Sequence, residues 1–170
     1  MTDQLVRRAQ RGDKDAFVAL MEQYKAALYR AARAILHSDE DAADAIQETV
    51  LEAWRSLPKL EAPRYCNTWL TRVLIYNCYD ILRRKKRETP VEFLPEQAAE
   101  EQGEEAMDVK RTLQKLSQND RLVLTLFYLN DMPVKQIART LDVSENTVRT
   151  RLTRGRARFR EAYLRKENEV

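Results

Sequence analysis

Residues 133–152 constrain this chain more than any other segment, because they follow the pattern of two short helices joined by a tight turn. Pro133 suits the first position of a helix, where a missing N–H costs nothing. Asp142 and Val143 form the predicted corner, and the Ser144 hydroxyl can cap the next helix. The apolar residues predicted to face inward are Ile137, Leu141, Val148 and Leu152. The pattern predicts a helix-turn-helix, whose second helix enters the major groove of DNA.

The second of these helices begins with polar residues and carries an outward polar stripe. Ser144, Asn146 and Thr147 form its start, and the stripe consists of Arg149, Thr150, Thr153 and Arg154. Side chains at such positions reach base edges and phosphates. An ordinary helical hairpin with solvated arginines is the alternative. Because the turn residues, the core spacing and the charge placement all agree, we favour DNA recognition.

Composition predicts an all-α protein of two small helical domains joined by a flexible acidic linker. The chain has only three glycines and five prolines among its 170 residues, too few for the many turns of a sheet protein. From Glu88 to Asp108 there are eight acidic residues and no basic one, whereas the remainder holds 30 basic against 19 acidic groups, a net charge of +11. We therefore expect domains at 1–88 and 108–170, with the linker at 89–107.

Several classes of function lack their residues in this sequence. The scattered glycines exclude a phosphate-binding loop. His37, Cys66 and Cys78 do not have a metal-ligand spacing, so neither a metal nor a cofactor is expected. Since no nucleophile–base pair or carboxylate dyad with a pocket can be named, there are no candidate catalytic residues, and an enzyme is the least favoured class.

The two cysteines and the lack of long apolar stretches bear on localisation. Cys66 and Cys78 are expected about 18 Å apart on one helix, too far for a disulfide. Two reduced, buried thiols suit the cytosol. No segment approaches the roughly 20 apolar residues that span a bilayer, so we expect a cytoplasmic protein without direct membrane insertion.

The segment 41–54, DAADAIQETVLEAW, predicts an amphipathic helix with an acidic face. That face carries Asp44, Gln47, Glu48 and Glu52 at three- and four-residue spacing. Most charge stripes are simply solvated, and this alternative stays open on the pattern alone. Carboxylates in an otherwise basic domain also suit a cationic protein partner.

The segment 64–87 combines aromatic and amide side chains with a basic end. Tyr65, Asn67, Tyr76, Asn77 and Tyr79 could stack on unpaired bases or bond their edges. Trp69 is better interpreted as a core residue. The basic run 83–87 is typical either of a helix end favoured by the macrodipole or of phosphate contact, and its density favours phosphate.

Taken together, these segments resemble bacterial RNA polymerase sigma factors of the extracytoplasmic-function (ECF) group in the sigma-70 family. Residues 41–54 resemble the helix that binds core polymerase, 68–84 the segment that binds the minus-10 element, and 144–158 the minus-35 recognition helix. The three motifs occur in the family's order, and the resemblance extends over nearly the whole chain.

The resemblance implies roles for individual residues. Core polymerase binding falls on Asp44, Gln47, Glu48 and Trp54. Minus-10 DNA binding falls on Arg64, Asn67, Thr68, Arg72, Tyr76, Asn77, Arg83 and Arg84. Minus-35 DNA binding falls on Ser144, Asn146, Thr147, Arg149, Thr150, Thr153 and Arg154.

The resemblance also implies the partners. These are the clamp helices of the largest subunit of core RNA polymerase, promoter DNA and an anti-sigma factor, either membrane-anchored or soluble. The chain would then direct promoter-specific transcription initiation.

Two other classes of protein remain alternatives. A polymerase-independent dimeric helix-turn-helix regulator would bind palindromic DNA with half-sites about 34 Å apart. The sequence shows neither a ligand domain nor an obvious dimer seam to support it. A basic RNA-binding or scaffolding protein would bind without promoter preference.

Overall fold

The first four helices form one helical unit. In the computed structural model, which describes residues 1–88 and 104–168, they are α1 (Thr2–Gln10), α2 (Lys14–Ile35), α3 (Asp39–Ser56) and α4 (Cys66–Glu88). Short 3₁₀ turns at Leu57–Lys59 and Pro63–Tyr65 connect α3 to α4.

Apolar residues at helical spacing build the core of this unit. Helices α2, α3 and α4 pack against one another, and α1 packs on α2. The fully buried side chains include Val6, Leu20, Ile35, Leu57, Leu70 and Leu74. Cys66 and Cys78 are free and buried on α4, as expected, and burial raises their thiol pKa values to about 11 and about 12.

Polar caps define where the helices of this unit begin. Asp13 caps α2, since its side chain accepts a hydrogen bond from the backbone N–H of Ala16 at 3.1 Å. Ser38 caps α3, because its hydroxyl accepts a hydrogen bond from the N–H of Asp41, and Asp39 is the first helical residue.

The second helical unit contains α5 (Glu104–Gln114), α6 (Gln118–Leu124), α7 (Val134–Leu141) and α8 (Glu145–Asn168), with a π-helical segment at Thr125–Leu129 after α6. Helix α8 packs against α5, α6 and α7. Helix α5 begins at Glu104, so the last four residues of the predicted linker are helical. Residues 89–103 of that linker lie outside the described residues.

The predicted helix-turn-helix is formed by α7 and α8. Asp142 adopts the left-handed conformation, with φ 54° and ψ 49°, which a short polar side chain tolerates. The N–H of Val143 donates to the carbonyl of Ala138 at 3.0 Å and closes the corner. Pro133 differs from expectation: it is the N-cap of α7, with extended ψ of 153°, and Val134 is the first helical residue.

Candidate functional site

The start of α8 presents a capped and exposed polar face. The Ser144 hydroxyl accepts from the N–H of Thr147 at 3.1 Å and lies 2.9 Å from the Thr147 hydroxyl. Asn146 is exposed. The cap leaves other N–H groups of the first turn without a helical partner, and such a terminus favours a phosphate.

The outward stripe of α8 lies where the sequence predicted it. Val148 and Leu152 are buried, whereas Arg149, Thr150 and Thr153 are exposed. Arg149 has a long contact of 3.9 Å with Glu145 in this stretch of the helix. This weak, exposed pairing leaves the Arg149 guanidinium available to a ligand.

Arg154 lies on the same stripe, but its guanidinium is held by Asp120. The Asp120 side chain is 0% exposed and accepts from Arg154 Nε at 3.1 Å and Arg154 Nη2 at 2.9 Å. Arg158 Nη1 donates to the other Asp120 oxygen at 2.9 Å. The sequence predicted only a DNA contact for Arg154, and it did not reveal the ion pair with Asp120.

The Asp120 carboxyl remains ionised in this cluster. Burial alone would raise its pKa, but hydrogen bonds from Arg154, Ser117 and Arg158 hold the pKa below its ordinary value. The only sequence signal was an aspartate three residues after a helix-capping serine. Its partner Arg154 lies 34 residues away, so no local pattern could reveal the pair.

Gly155 allows α8 to pack closely on α6. A Cβ at this position would lie 3.2 Å from Leu124 side-chain atoms and 3.4 Å from the Cβ of Asp120. The close approach places Arg154 and Arg158, one helical turn apart, on the same carboxylate.

In the first unit, α4 carries an exposed strip of cationic and aromatic side chains. Tyr76 is 63% exposed, and the Arg83 guanidinium lies 5.8 Å from its ring centroid. Arg72 is exposed one turn before Tyr76. An exposed ring beside guanidinium groups can stack on a base while the cations contact phosphates.

The loop before α4 contributes a second cation–aromatic pair. Arg64 lies 4.9 Å from the Tyr65 ring centroid, and its Nη2 donates to the Tyr65 hydroxyl at 3.1 Å. Asn67 and Thr68 follow in the first turn of α4 and are half-buried. Trp69 is half-buried beside them, so its ring is not an open platform for bases.

Asn77 was predicted to contact bases, but its side chain is used within the unit. The residue is half-buried, and Nδ2 donates to the Thr49 hydroxyl at 3.1 Å. The Thr49 hydroxyl in turn donates to the carbonyl of Ala45 at 2.7 Å. This chain of bonds joins α4 to α3, so the described geometry gives Asn77 a structural role.

The acidic stripe of α3 lines an open cleft of about 280 Å³. Asp44, Gln47 and Glu48 form one wall and are exposed. Arg84 and Lys85 of α4 form part of the other wall. Arg84, predicted to bind DNA, thus lies beside the acidic stripe, with Nε 3.5 Å from Asp80.

Trp54 lies on the same helix, two residues after Glu52, and presents a partly exposed apolar side chain. It is 41% exposed, and its ring meets Phe17 edge-to-face with centroids 5.0 Å apart. Phe17 is buried, so the indole of Trp54 packs against the core through this ring. The result is a half-open aromatic anchor, a type of residue enriched at protein interfaces.

The described residues, 1–88 and 104–168, contain no group of three or more His, Cys, Asp and Glu side chains arranged to hold a metal ion. Within the same ranges, no helix combines the length and apolarity needed to cross a bilayer.

Two family models match the chain. Residues 20–88 match sigma-70 region 2, and residues 106–159 match sigma-70 region 4. The exposed α4 strip and the acidic stripe fall in the first match, and the helix-turn-helix falls in the second.

Individual proteins are similar over most of their length. An ECF RNA polymerase sigma factor, SigM of Mycobacterium tuberculosis, is 33% identical over 151 residues, which cover 87% of this chain and 77% of the relative. An ECF RNA polymerase sigma factor of Bacillus subtilis, SigW, is 26% identical, covering 94% of this chain and 95% of the relative.

Solved structures share the fold. CnrH, in complex with the cytosolic domain of CnrY, has a TM-score of 0.73 at 27% identity and covers 94% of this chain and 95% of its own. The sigma factor RpoE of Bartonella quintana, in complex with the anti-sigma factor NepR, has a TM-score of 0.77 at 23% identity, covering 86% and 95%. The chain therefore belongs to the ECF RNA polymerase sigma factors of the sigma-70 family.

Proposed function

We propose that this sigma factor binds core RNA polymerase through α3 and recognises two promoter elements, one with each domain. The first domain (1–88) binds polymerase and the opened minus-10 strand, and the second (108–170) binds the minus-35 duplex. The observation that carries the proposal is that one chain holds an acidic face, a cation–aromatic strip and a helix-turn-helix.

The polymerase-binding surface consists of the acidic stripe with Trp54 at its end. Exposed carboxylates suit a cationic partner helix. The half-exposed indole supplies the aromatic contact on which binding free energy often concentrates. Together they favour a helix of the polymerase clamp as the partner.

The minus-10 surface consists of the α4 strip and the loop before it. The exposed side chains of the strip are Arg72, Tyr76 and Arg83. Arg64 in the preceding loop is also exposed, and Asn67 and Thr68 in the first turn of α4 are half-buried. Aromatic and guanidinium groups in one strip bind unpaired bases and their phosphates. Asn77 contributes through the position of α4, because its amide is bonded to Thr49.

The minus-35 surface is the first three turns of α8. Exposed Arg149, Thr150 and Thr153 suit base edges in the major groove, and Ser144, Asn146 and Thr147 suit the phosphates that flank them. Because polymerase fixes the distance between the two domains, both elements must match together.

An anti-sigma factor, membrane-anchored or soluble, is part of the proposal. CnrH resembles this chain over nearly its whole length and was solved with the cytosolic domain of a second protein. The chain itself supplies binding and no chemical step. Its place of action is the cytoplasm, where its polymerase acts.

Run-off transcription tests this function directly. Core polymerase is incubated with genomic fragments, with and without the protein, and the transcript starts are mapped. We expect defined starts only when the protein is present. A protein that leaves polymerase unselective and binds palindromic duplex as a dimer contradicts the proposal.

A further inference from the structure

The Asp120 cluster uses only part of each arginine. Arg154 donates hydrogen bonds from Nε and Nη2 to Asp120, so the Nε–Nη2 edge of its guanidinium is already bound to the carboxylate. The end of the guanidinium, formed by Nη1 and Nη2, still has hydrogens to donate, and the side chain is 45% exposed. Asp120 therefore selects which edge of Arg154 a ligand can bind.

The second arginine strengthens this selection. Arg158 donates through Nη1 alone, and its side chain is 53% exposed. One carboxylate and two guanidiniums leave one net positive charge at the surface. Two fixed donor groups of this kind fit a phosphate oxygen or a guanine edge, both of which accept paired hydrogen bonds.

Asp120 is itself held firmly. It is the third residue of α6, where a negative charge is favourable, and its N–H donates to the Ser117 cap at 3.4 Å. Gly155 keeps α8 close to it. The carboxylate thus has a fixed position from which to orient flexible arginine side chains, and fixed donors bind without the cost of ordering them.

We propose that Asp120 is a positioning residue for minus-35 recognition, because it holds Arg154 so that only the Nη1–Nη2 end of the guanidinium faces promoter DNA. Arg158, on the same carboxylate, supports the phosphate beside that contact. The inference rests on the proposed function. It adds a specificity-determining residue that lies outside the recognition helix and never touches DNA.

The test compares holoenzyme on two duplexes. One carries a promoter selected in the run-off experiment, and the other carries the same promoter with its minus-35 element scrambled. The ratio of the two affinities measures discrimination. Since wild-type holoenzyme must first select that promoter, failure of the function appears as a wild-type ratio near one, separately from any effect of Asp120.

Asp120→Asn should change the affinities for the two duplexes by different amounts. Removing a negative charge beside two arginines should strengthen binding to the scrambled duplex and steepen its salt dependence. The amide keeps one acceptor oxygen but loses the charge that holds the guanidinium firmly, so the discrimination ratio should fall at least about fivefold, the lower end for one bidentate contact. Asp131→Asn is the charge-matched control and should leave the ratio unchanged.

A double substitution separates positioning from a general effect on the helix. If Asp120 acts through Arg154, adding Asp120→Asn to Arg154→Ala should not lower the ratio further. A further fall would show that the whole helix had shifted, and it would overturn the proposal. An unchanged ratio in Asp120→Asn alone would do the same.

Arg154→Lys provides the test if Asp120→Asn does not fold. Lysine keeps the charge and a bond to Asp120 but lacks the planar fork. We expect the ratio to fall while affinity for the scrambled duplex stays the same. A lysine variant with full discrimination would show that the oriented guanidinium is not required.

Discussion

Arginines on the face of a recognition helix differ in how firmly the protein holds them. Arg149 contacts Glu145 at 3.9 Å across an exposed surface, which contributes little. Arg154 instead donates three hydrogen bonds to a carboxylate that is removed from water. We infer that Arg149 adapts to DNA on binding, whereas Arg154 is oriented beforehand.

The ion pairs of Asp120 should make the stability of the second domain depend on acid pH. Since the pKa of Asp120 is lowered in the folded state, its contribution is present above the unfolded pKa of about 3.9 and is lost as the pH falls through the folded pKa. We expect the unfolding free energy to decrease less below about pH 4 in Asp120→Asn than in the wild-type protein. Hydrogen exchange of α6 and α8 amides measures this.

The first domain provides an internal control for that measurement. Both tryptophans, Trp54 and Trp69, belong to it, so their fluorescence reports its unfolding alone. Asp120→Asn should leave that signal unchanged at every pH. Equal pH dependence of α6 and α8 exchange in both proteins would mean that the pairs with Arg154 and Arg158 do not stabilise the domain.

At the scale of the element, the beginning of α8 depends on one serine. Ser144→Ala removes the acceptor for the N–H of Thr147 and should lower the unfolding free energy of the second domain by about 1 kcal/mol. Ser144→Asn restores an acceptor and should recover most of the loss. Chemical denaturation followed by circular dichroism compares the three proteins, and equal stability of all three would contradict the capping role.

The acidic stripe of α3 gives a second prediction at this scale. Asp44→Asn together with Glu48→Gln should weaken binding to core polymerase without changing the fold, because both carboxylates are exposed and lie on the proposed contact surface. Asp15→Asn with Glu22→Gln on α2 removes the same charge elsewhere and serves as the control. Native gel titration with core polymerase measures both, and equal affinities would count against the stripe.

How far the sequence predicts this protein depends on how local each feature is. The α7–α8 turn at Asp142 and the caps at Asp13 and Ser144 follow from a few adjacent residues, and all are present. The bond from Asn77 to Thr49 and the bond from Arg154 to Asp120 join separate helices, so they depend on packing that no sequence window contains. For that reason the outer stripes were predictable, while the side chains that hold them in place were not.

At the scale of the whole molecule, charge is unevenly distributed. Outside the acidic segment 88–108 the chain carries a net charge of +11, which attracts it to nucleic acid without regard to sequence. In the proposed function, sequence selectivity comes from the minus-10 and minus-35 surfaces acting together on one polymerase. The described helices form two units, one within residues 1–88 and one within 104–168, so each proposed surface belongs to its own unit.

Cleavage between the units tests their independence. A protease site inserted within 96–103 and then cut should yield two folded pieces, because each unit buries its own apolar core. Thermal unfolding of the cut and uncut proteins should show the same two transitions. A single cooperative transition in the intact chain, lost on cutting, would contradict the proposed domains.

The central claim is that two domains of one polymerase-bound chain recognise two promoter elements at a distance that polymerase sets. A series of promoters whose minus-10 and minus-35 elements are separated by spacers of stepwise length tests it most directly, with run-off transcription as the readout. We predict a sharp optimum in transcript yield, with a loss of about tenfold or more when the spacer is two base pairs longer or shorter. At those spacings the polymerase-bound protein can contact only one of the two elements. Equal yield across all spacers would contradict joint recognition.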